Sequence, residues 1–155
     1  HGEAFGEHGF TMHGQTIFQE EIGIPMIFSG PGIHAGKIDS RLAQIVDVAP
    51  TLAALAGIGR PCGWQGLSLL GPGRRDRAYS FALLRDPIVG FREGNQKFVL
   101  DLRDGTVVRY DLGSDAAEQH AKVLGKAEAK LAWGAIAGWT SYNEKLFSRG
   151  NEPCS

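Results

Sequence analysis

The pattern of hydrophobic and polar positions divides the chain into two halves of different character. The first half holds one short apolar run, Ile22–Phe28, and one longer amphipathic stretch, Ser40–Ala56. The second half holds several short apolar runs separated by turn residues, and it ends in a helical pattern. A single strand followed by a helix cannot complete a parallel sheet, because its neighbouring strands must come from elsewhere. We therefore expect either a missing N-terminal part to supply those strands, or this chain to rearrange or associate.

The first half begins with a Gly-rich loop, His1–Gly14, and continues into a predicted strand. The segment Ile22–Ser29 has the composition of a buried strand, and the Gly-Pro-Gly sequence after it is a strong breaker. Pro25 cannot donate a backbone hydrogen bond in the middle of a strand, so the paired part is expected to be Met26–Ser29.

The stretch Ser40–Ala56 predicts a helix in two pieces, because Pro50 interrupts its apolar pattern. Asp47 is well placed to cap the N-terminus of the second piece, and Gly57 to end it. The apolar face of this helix is predicted to consist of Leu42, Ile45, Val46, Leu52 and Leu55.

The second half predicts a small antiparallel sheet followed by a helix. The strand candidates are Ala78–Leu84, Ile88–Phe91, Lys97–Asp101 and Val107–Asp111. Turn signals at Gly94-Asn95 and Asp104-Gly105 separate them. The segment Glu128–Leu146 predicts a helix, since its apolar residues recur at the spacing that suits packing on a sheet. Its predicted stripe consists of Leu131, Ala135, Trp139, Tyr142 and Leu146, with Ile136 beside it. We place a boundary between residues 1–75 and a C-terminal subdomain, residues 76–155, near the end of a Pro/Gly-rich connector.

Composition narrows the function classes. Hydrophobic residues make up 43% and charged residues 21% of the 155 residues, which is typical of a globular chain. The formal net charge of -1 argues against nucleic-acid binding, which normally needs a basic face. The chain begins with His1 and carries no signal-peptide pattern, so we expect that a preceding segment has been removed. Cys62 and Cys154 could form one disulfide or remain two thiols, and the compartment stays open.

The N-terminal loop carries the richest chemistry in the chain. Residues 1–14 contain three histidines and two glutamates among four glycines. Imidazole suits Zn, Cu, Fe or Ni, whereas carboxylates suit harder ions such as Mg, Ca and Mn. Glycines also let backbone amides approach a sulfate or phosphate group closely. The alternative to a metal or anion site is an ordinary surface loop that binds no ligand.

Several segments closely resemble the sulfatase family of the alkaline-phosphatase superfamily. They are HGEAFGEHG (1–9), MHG (12–14), FQEEIGIPMIFSGPG (18–32), IVDVAPTLAALAG (45–57), GLSLL (66–70) and VRYDLGSDAAEQ (108–119). These segments follow the family order over most of the chain. The resemblance implies an α/β fold in which residues 1–75 are the tail of a sulfatase-type mixed-sheet domain. Residues 76–155 would then form a small antiparallel sheet with a C-terminal helix.

The resemblance implies functional roles for two histidines. His1 matches the second member of the Asp-His or Asp-Asn pair that ligates the catalytic metal, and the Asp before it is not in this chain. His13 matches the Lys or His that contacts the sulfate or phosphate group of the substrate. The other histidines match no functional position and are expected to be loop or surface residues: His8, His34 and His120.

The nucleophile motif of the family, C/S-x-P-x-R, is absent around both Cys62 and Cys154, so no catalytic residue is predicted. We therefore expect this chain to be part of a metal-dependent sulfuric ester hydrolase and to be inactive alone. The implied cofactor of the intact protein is a divalent Ca, Mn or Zn ion. For this chain alone, the absence of any bound ion stays open as an alternative. Histidine at position 1, where many sulfatases have Asn, favours Mn or Zn.

Alternatives to the sulfatase hypothesis stay open. The His-Gly-Glu loop is also similar to that of phosphoethanolamine transferases of the same superfamily, so phosphate esters remain substrates beside sulfate esters. A non-enzymatic assembly module is the alternative of a different class, and exposed apolar surface could promote self-association. A nucleophile motif upstream would favour the enzyme over the module. The location stays unknown, and an extracytoplasmic or membrane-associated protein is open because the family often acts outside the cytoplasm.

Overall fold

The structure, a computed structural model, describes residues 1–149, which fall into two compact units. The first unit consists of His1–Met26 and Tyr79–Ile136. The second consists of Ile27–Ala78 and, within the described part of the chain, residues 137–149. The N-terminal loop therefore belongs to the same unit as the C-terminal sheet. The boundary predicted between residues 75 and 76 stays a prediction.

A five-stranded sheet, whose strands lie side by side in their order along the chain, forms the centre of the first unit. Its strands are β3 (Arg77–Ala82), β4 (Ile88–Glu93), β5 (Gln96–Asp101), β6 (Val107–Asp111) and β7 (Lys122–Val123). The pairs from β4 to β7 are antiparallel. Glu93 pairs with Gln96 across a two-residue turn in which Gly94 has a φ of 58°, a conformation that glycine adopts without strain. The strands and turns predicted for this sheet are confirmed, and within this sheet only the two-residue β7 is absent from the sequence prediction.

Helix α3 (Lys126–Arg149) contributes Ala132 and Ile136 to the core of the first unit, and the predicted buried stripe is right in part, since Ile136 and Leu146 are buried and Ala135 packs against the core. The core combines sheet residues with one stripe of the helix: Val89, Phe91, Leu100, Val107, Leu124, Ala132 and Ile136. Leu131 is 76% exposed and Tyr142 is 56% exposed, so their assignment to the buried stripe is wrong. Ala132 and Ile136 lie four residues apart on one face, about 100° around the helix from Leu131. The α/β fold with an antiparallel sheet and a C-terminal helix is confirmed.

The N-terminal segment folds onto itself before it reaches the sheet. Strands β1 (Ala4–Phe5) and β2 (Thr11–Met12) form a small antiparallel pair, with one turn of 3₁₀ helix, Glu7–Gly9, between them. Helix α1 (Gln19–Ile22) follows. The buried residues of this segment are Ala4, Thr16, Ile17 and Glu21. The predicted loop is therefore a structured hairpin with a buried acidic residue behind it.

In the second unit, a 3₁₀ turn, Ile45–Asp47, leads into helix α2 (Val48–Leu55), and Gly57 follows the helix with a φ of 68°. Of the two predicted helical pieces, only the second is an α-helix. The predicted apolar face is wrong, because Ile45 is 63% exposed and Leu52 is 52% exposed. The buried side of α2 consists instead of Pro50, Thr51 and Ala53.

Asp47 is fully buried and organises the connector after α2 rather than capping α2. Its carboxylate accepts backbone hydrogen bonds from Gln44 and Leu67, each at 2.8 Å, and forms an ion pair with Arg75. The hydroxyl of Thr51 accepts a further hydrogen bond from the backbone N–H of Leu69 at 3.0 Å. Polar contacts therefore fix this part of the second unit more than the predicted apolar face does.

Met26–Ser29 is not a strand, contrary to the sequence prediction. The segment pairs with no strand of the described residues, and Ile27 is 87% exposed. A strand needs a partner for its backbone groups, so an extended apolar run without one does not form a ladder.

Cys62 is disulfide-bonded, while Cys154 lies outside the described residues. Across residues 1–149, no helix has the length and apolar character that a membrane span requires.

Candidate functional site

The two histidines that the sequence selects lie next to each other in the first unit. The ring centroids of His1 and His13 are 4.2 Å apart, with an angle of 33° between the ring planes. Nδ1 of His13 lies 2.9 Å from Oε2 of Glu3, and Nδ1 of His1 lies 2.8 Å from the carbonyl oxygen of Gly2. The His13 side chain is 46% exposed. The hairpin therefore brings residues 1, 3 and 13 into one solvent-accessible cluster.

Close packing under Gly2 holds this cluster in place. The backbone N–H of Gly2 donates to the carbonyl oxygen of Glu21 at 2.7 Å. A Cβ atom at position 2 would lie 2.0 Å from the carbonyl oxygen of Glu20, a distance that no side chain can occupy. Glycine is therefore required here for the chain to pass so close to α1.

The buried carboxylate of Glu21 binds the backbone segment that connects His13 to α1. It accepts hydrogen bonds from the backbone of Gln15 at 3.1 Å and from the hydroxyl of Thr16 at 2.5 Å. Glu21 is only 2% exposed, and these hydrogen bonds compensate its carboxylate for the contact with water that burial removes. The sequence motif FQEEIGIP contained this residue without indicating its task.

His8 is not the simple loop residue that the sequence predicts. Its ring stacks on Phe18 at 3.8 Å between centroids, and its Nδ1 lies 2.7 Å from Oε1 of Glu20. Its Nε2 donates to the carbonyl oxygen of Glu118 at 3.2 Å. Burial alone would lower the pKa of His8, but the hydrogen bond and charge of Glu20, with the carbonyls of Glu118 and Ala117, outweigh it and raise the pKa. His8 is therefore an ion-paired contact between the hairpin and the segment after β6.

An ion pair between Lys97 and Glu118 lies beneath this contact and is almost completely shielded from water. The exposed fractions of the two side chains are 2% and 1%. Lys97 also donates to the carbonyl oxygen of Ile17, and Glu118 accepts from the backbone N–H of Gln19 at 2.7 Å. Burial lowers the pKa of Lys97, although the neighbouring charge of Glu118 opposes that shift.

These buried groups are the residues that sequence reasoning missed. Lys97 reads as an ordinary polar position of a strand, and nothing in its spacing signals a buried partner. Glu118 belongs to the motif VRYDLGSDAAEQ, which resembled the family but had no assigned role. His120, with a side chain that is 86% exposed, is a surface residue as predicted, and so is His34.

The described residues do not form a metal site by themselves. Among residues 1–149, no group of three or more His, Cys, Asp or Glu side chains is arranged to hold a metal ion. A stable site normally needs at least three protein ligands, and the cluster at His1 does not supply them. The predicted role of His1 as a metal ligand therefore stays a prediction.

Comparison with known proteins finds sulfatases that are similar to part of this chain. Human arylsulfatase K is 36% identical over 70 residues, which are 45% of this chain and 13% of that protein. A Delta 4,5-hexuronate-2-O-sulfatase of Bacteroides thetaiotaomicron is 38% identical over 72 residues, which are 44% of this chain and 15% of that protein. The resemblance to part of a sulfatase is confirmed. No protein-family model matches the sulfatase-like chain.

Solved structures show the same fold. A Bacteroides thetaiotaomicron structure with a provisional sulfatase name superimposes with a TM-score of 0.74 at 22% identity, over 96% of this chain and 36% of that one. A second structure, of a protein with its substrate D-glucosamine-2-N,6-O-disulfate, also has a TM-score of 0.74, at 24% identity, over 97% of this chain and 33% of that one. The sulfatase-like chain thus spans about a third of the length of these structures and less of the curated relatives.

Proposed function

We propose that the protein containing this chain hydrolyses sulfate esters, and that the His1–His13 cluster faces the sulfate group. The observation that carries the proposal is the exposed His13 ring, which the hairpin fixes beside His1 in the segment that resembles the sulfatase motif. Identities of 36% and 38% to two curated sulfatases support the reaction class. The chain alone is expected to be inactive, since neither cysteine lies in the nucleophile motif.

His13 is proposed to bind the sulfate group of the ester. Its Nδ1 is engaged by Glu3, whereas its Nε2 makes no hydrogen bond among the described residues. A donor placed at the transferred group stabilises the charge that builds up on its oxygens. Substitution of such a donor lowers kcat by about 10²- to 10³-fold in other hydrolases.

We propose a divalent metal ion for the intact protein and not for this chain alone. Sulfatase similarity implies a metal-dependent enzyme in general, and Ca, Mn or Zn remain the proposed ions. His1 would contribute one imidazole ligand, and the other ligands would have to come from residues beyond the cluster described above. The cluster alone supports no step that passes through a metal.

The test compares sulfate with phosphate esters on the catalytically complete protein. Nitrophenyl sulfate and nitrophenyl phosphate are offered with added Ca, Mn or Zn, followed by sulfated glucosamines, since one structural relative binds such a substrate. His13→Ala is expected to reduce sulfate-ester turnover by about 10²- to 10³-fold. His120→Ala, at an exposed histidine of the same unit, is the matched control and should leave turnover unchanged. Turnover of the phosphate ester alone, or equal activity of both variants, would contradict the proposal.

A further inference from the structure

The carboxylate of Glu3 has one hydrogen-bond partner in the described residues, and that partner is His13. Oε2 of Glu3 lies 2.9 Å from Nδ1 of His13. The other oxygen, Oε1, is shielded from solvent and has no hydrogen-bond partner among residues 1–149. A carboxylate can only accept, so Nδ1 of His13 carries a proton in this contact, and Nε2 can donate to a sulfate oxygen only when the ring carries a second proton there. The ring is therefore held with its Nε2 edge turned away from Glu3.

The other three glutamates of the N-terminal segment have different tasks. Glu7 accepts from the backbone N–H of Phe5 at 2.6 Å and ties together the hairpin turn. Glu20 pairs with His8, and Glu21 binds the backbone and hydroxyl groups after β2. Each of these carboxylates is occupied by a contact other than His13. The assignment of Glu3 to His13 is thus specific within this segment.

We infer that Glu3 is the positioning residue for His13, fixing which edge of the imidazole faces the sulfate ester. The inference rests on the proposed function for its catalytic consequence, but its structural part does not depend on it. The hydrogen bond made by one ring nitrogen sets the tautomer and orientation of the other. Removing the partner behind a metal-binding histidine typically lowers metal affinity or activity by about 10- to 100-fold, and we expect an effect of the same order on His13.

Kinetics on the catalytically complete protein separate positioning from general stability. Glu3→Ala should lower kcat for the sulfate ester by about 10- to 100-fold. Glu3→Gln should restore most of the rate, because the amide oxygen can still accept from Nδ1. In the His13→Ala background, Glu3→Ala should have no further effect, since its action passes through that ring. Glu7→Gln, on the same hairpin, is the matched control and should behave like the unchanged protein.

Nuclear magnetic resonance on the 155-residue chain tests the contact without any turnover. Nitrogen chemical shifts of the His13 ring should report the Nδ1–H form in the unchanged chain and in Glu7→Gln. In Glu3→Ala the signature of a protonated Nδ1 should weaken, because the acceptor for that proton is gone. If these shifts are the same in all three chains, or if the Glu3 and His13 substitutions lower kcat independently, the inference is overturned. If no sulfate ester is turned over, the proposed function fails and the ring shifts alone decide whether Glu3 positions His13.

Discussion

Removing the positive charge from the buried pair between Lys97 and Glu118 should be the most damaging single change in the first unit. Lys97→Met keeps much of the side-chain length but leaves the Glu118 carboxylate buried without its cation. Both side chains are at most 2% exposed, so water cannot replace the lost partner. Breaking a buried pair in this way typically costs about 3–5 kcal/mol, which is a large share of a total stability of about 5–15 kcal/mol.

The double variant Lys97→Met with Glu118→Leu should lose less stability than the sum of the losses caused by the two single substitutions. Two independent losses would sum to roughly 6–10 kcal/mol, twice the cost of one broken pair. Removing both charges abolishes the unpaired-charge penalty, so the double variant should be no less stable than Lys97→Met. It still loses the hydrogen bonds to the carbonyl of Ile17 and the N–H of Gln19, each of which costs about 1–3 kcal/mol when left buried and unpaired.

Urea unfolding followed by circular dichroism gives these free energies, and amide exchange of Leu100 in β5 reports on the first unit alone. Lys122→Met, at an exposed lysine of β7, is the matched control and should change stability by no more than about 0.5 kcal/mol. The reasoning is refuted if Lys97→Met costs less than about 1 kcal/mol, which is the range of a solvent-exposed pair. It is also refuted if the stability loss of the double variant equals the sum of the losses of Lys97→Met and Glu118→Leu.

Three further predictions concern other parts of the chain. His8→Gln should destabilise the chain more at pH 6 than at pH 8, because the pKa of His8 is raised in the folded chain. The contribution of His8 to folding stability is complete below the unfolded pKa of 6.5 and is lost as the pH rises through the folded pKa. Urea unfolding at both pH values checks the sign. Gly90→Ala would place a Cβ 2.4 Å from the carbonyl oxygen of Phe98 and should destabilise by about 1–3 kcal/mol. Gly134→Ala, whose Cβ meets no atom within 4 Å, should stabilise by about 0.4–1 kcal/mol, so thermal unfolding should move the two variants in opposite directions. Asp47→Asn should cost about 1.5–3 kcal/mol, because the fully buried side chain loses its charge-assisted contact with Arg75, and unchanged amide exchange in α2 would contradict this.

The sequence predicts the meander well because its determinants are local. Each hairpin depends on a short alternating run and a turn such as Gly94-Asn95, and the observed strands lie close to the predicted bounds. Met26–Ser29 fails because a strand depends on a partner that its own residues do not specify. Leu131 lies outside the buried face because helical spacing alone leaves two adjacent faces nearly equivalent, and packing against the sheet selects Ala132 instead.

The candidate site was predicted only where a motif named the residue. His1 and His13 came from the resemblance, and the structure places their rings together. Glu3 lies in the same motif, but its task follows from the hairpin register, which pairs Ala4 with Met12 and so brings positions 3 and 13 to the same end of the hairpin. Lys97 and Glu118 could not be paired from sequence, because 21 positions separate them and β6 lies between. Long-range polar pairs leave no periodic signal of the kind that apolar faces leave.

The ion pair between Lys97 and Glu118 binds backbone groups that an equally stable apolar pair could not bind. Well-packed apolar side chains often match or exceed the stability of a buried ion pair. Leucine and methionine, however, cannot bind the carbonyl of Ile17 or the N–H of Gln19, which lie four and six residues after His13. The ion pair therefore fixes the path of the backbone that leads away from the His13 ring, in addition to joining two parts of a core. On this argument the double variant, even if it is as stable as the unchanged chain, should still show altered nitrogen shifts of the His13 ring. Unchanged shifts in a fully stable double variant would mean that the hairpin and Glu3 alone set the position of His13.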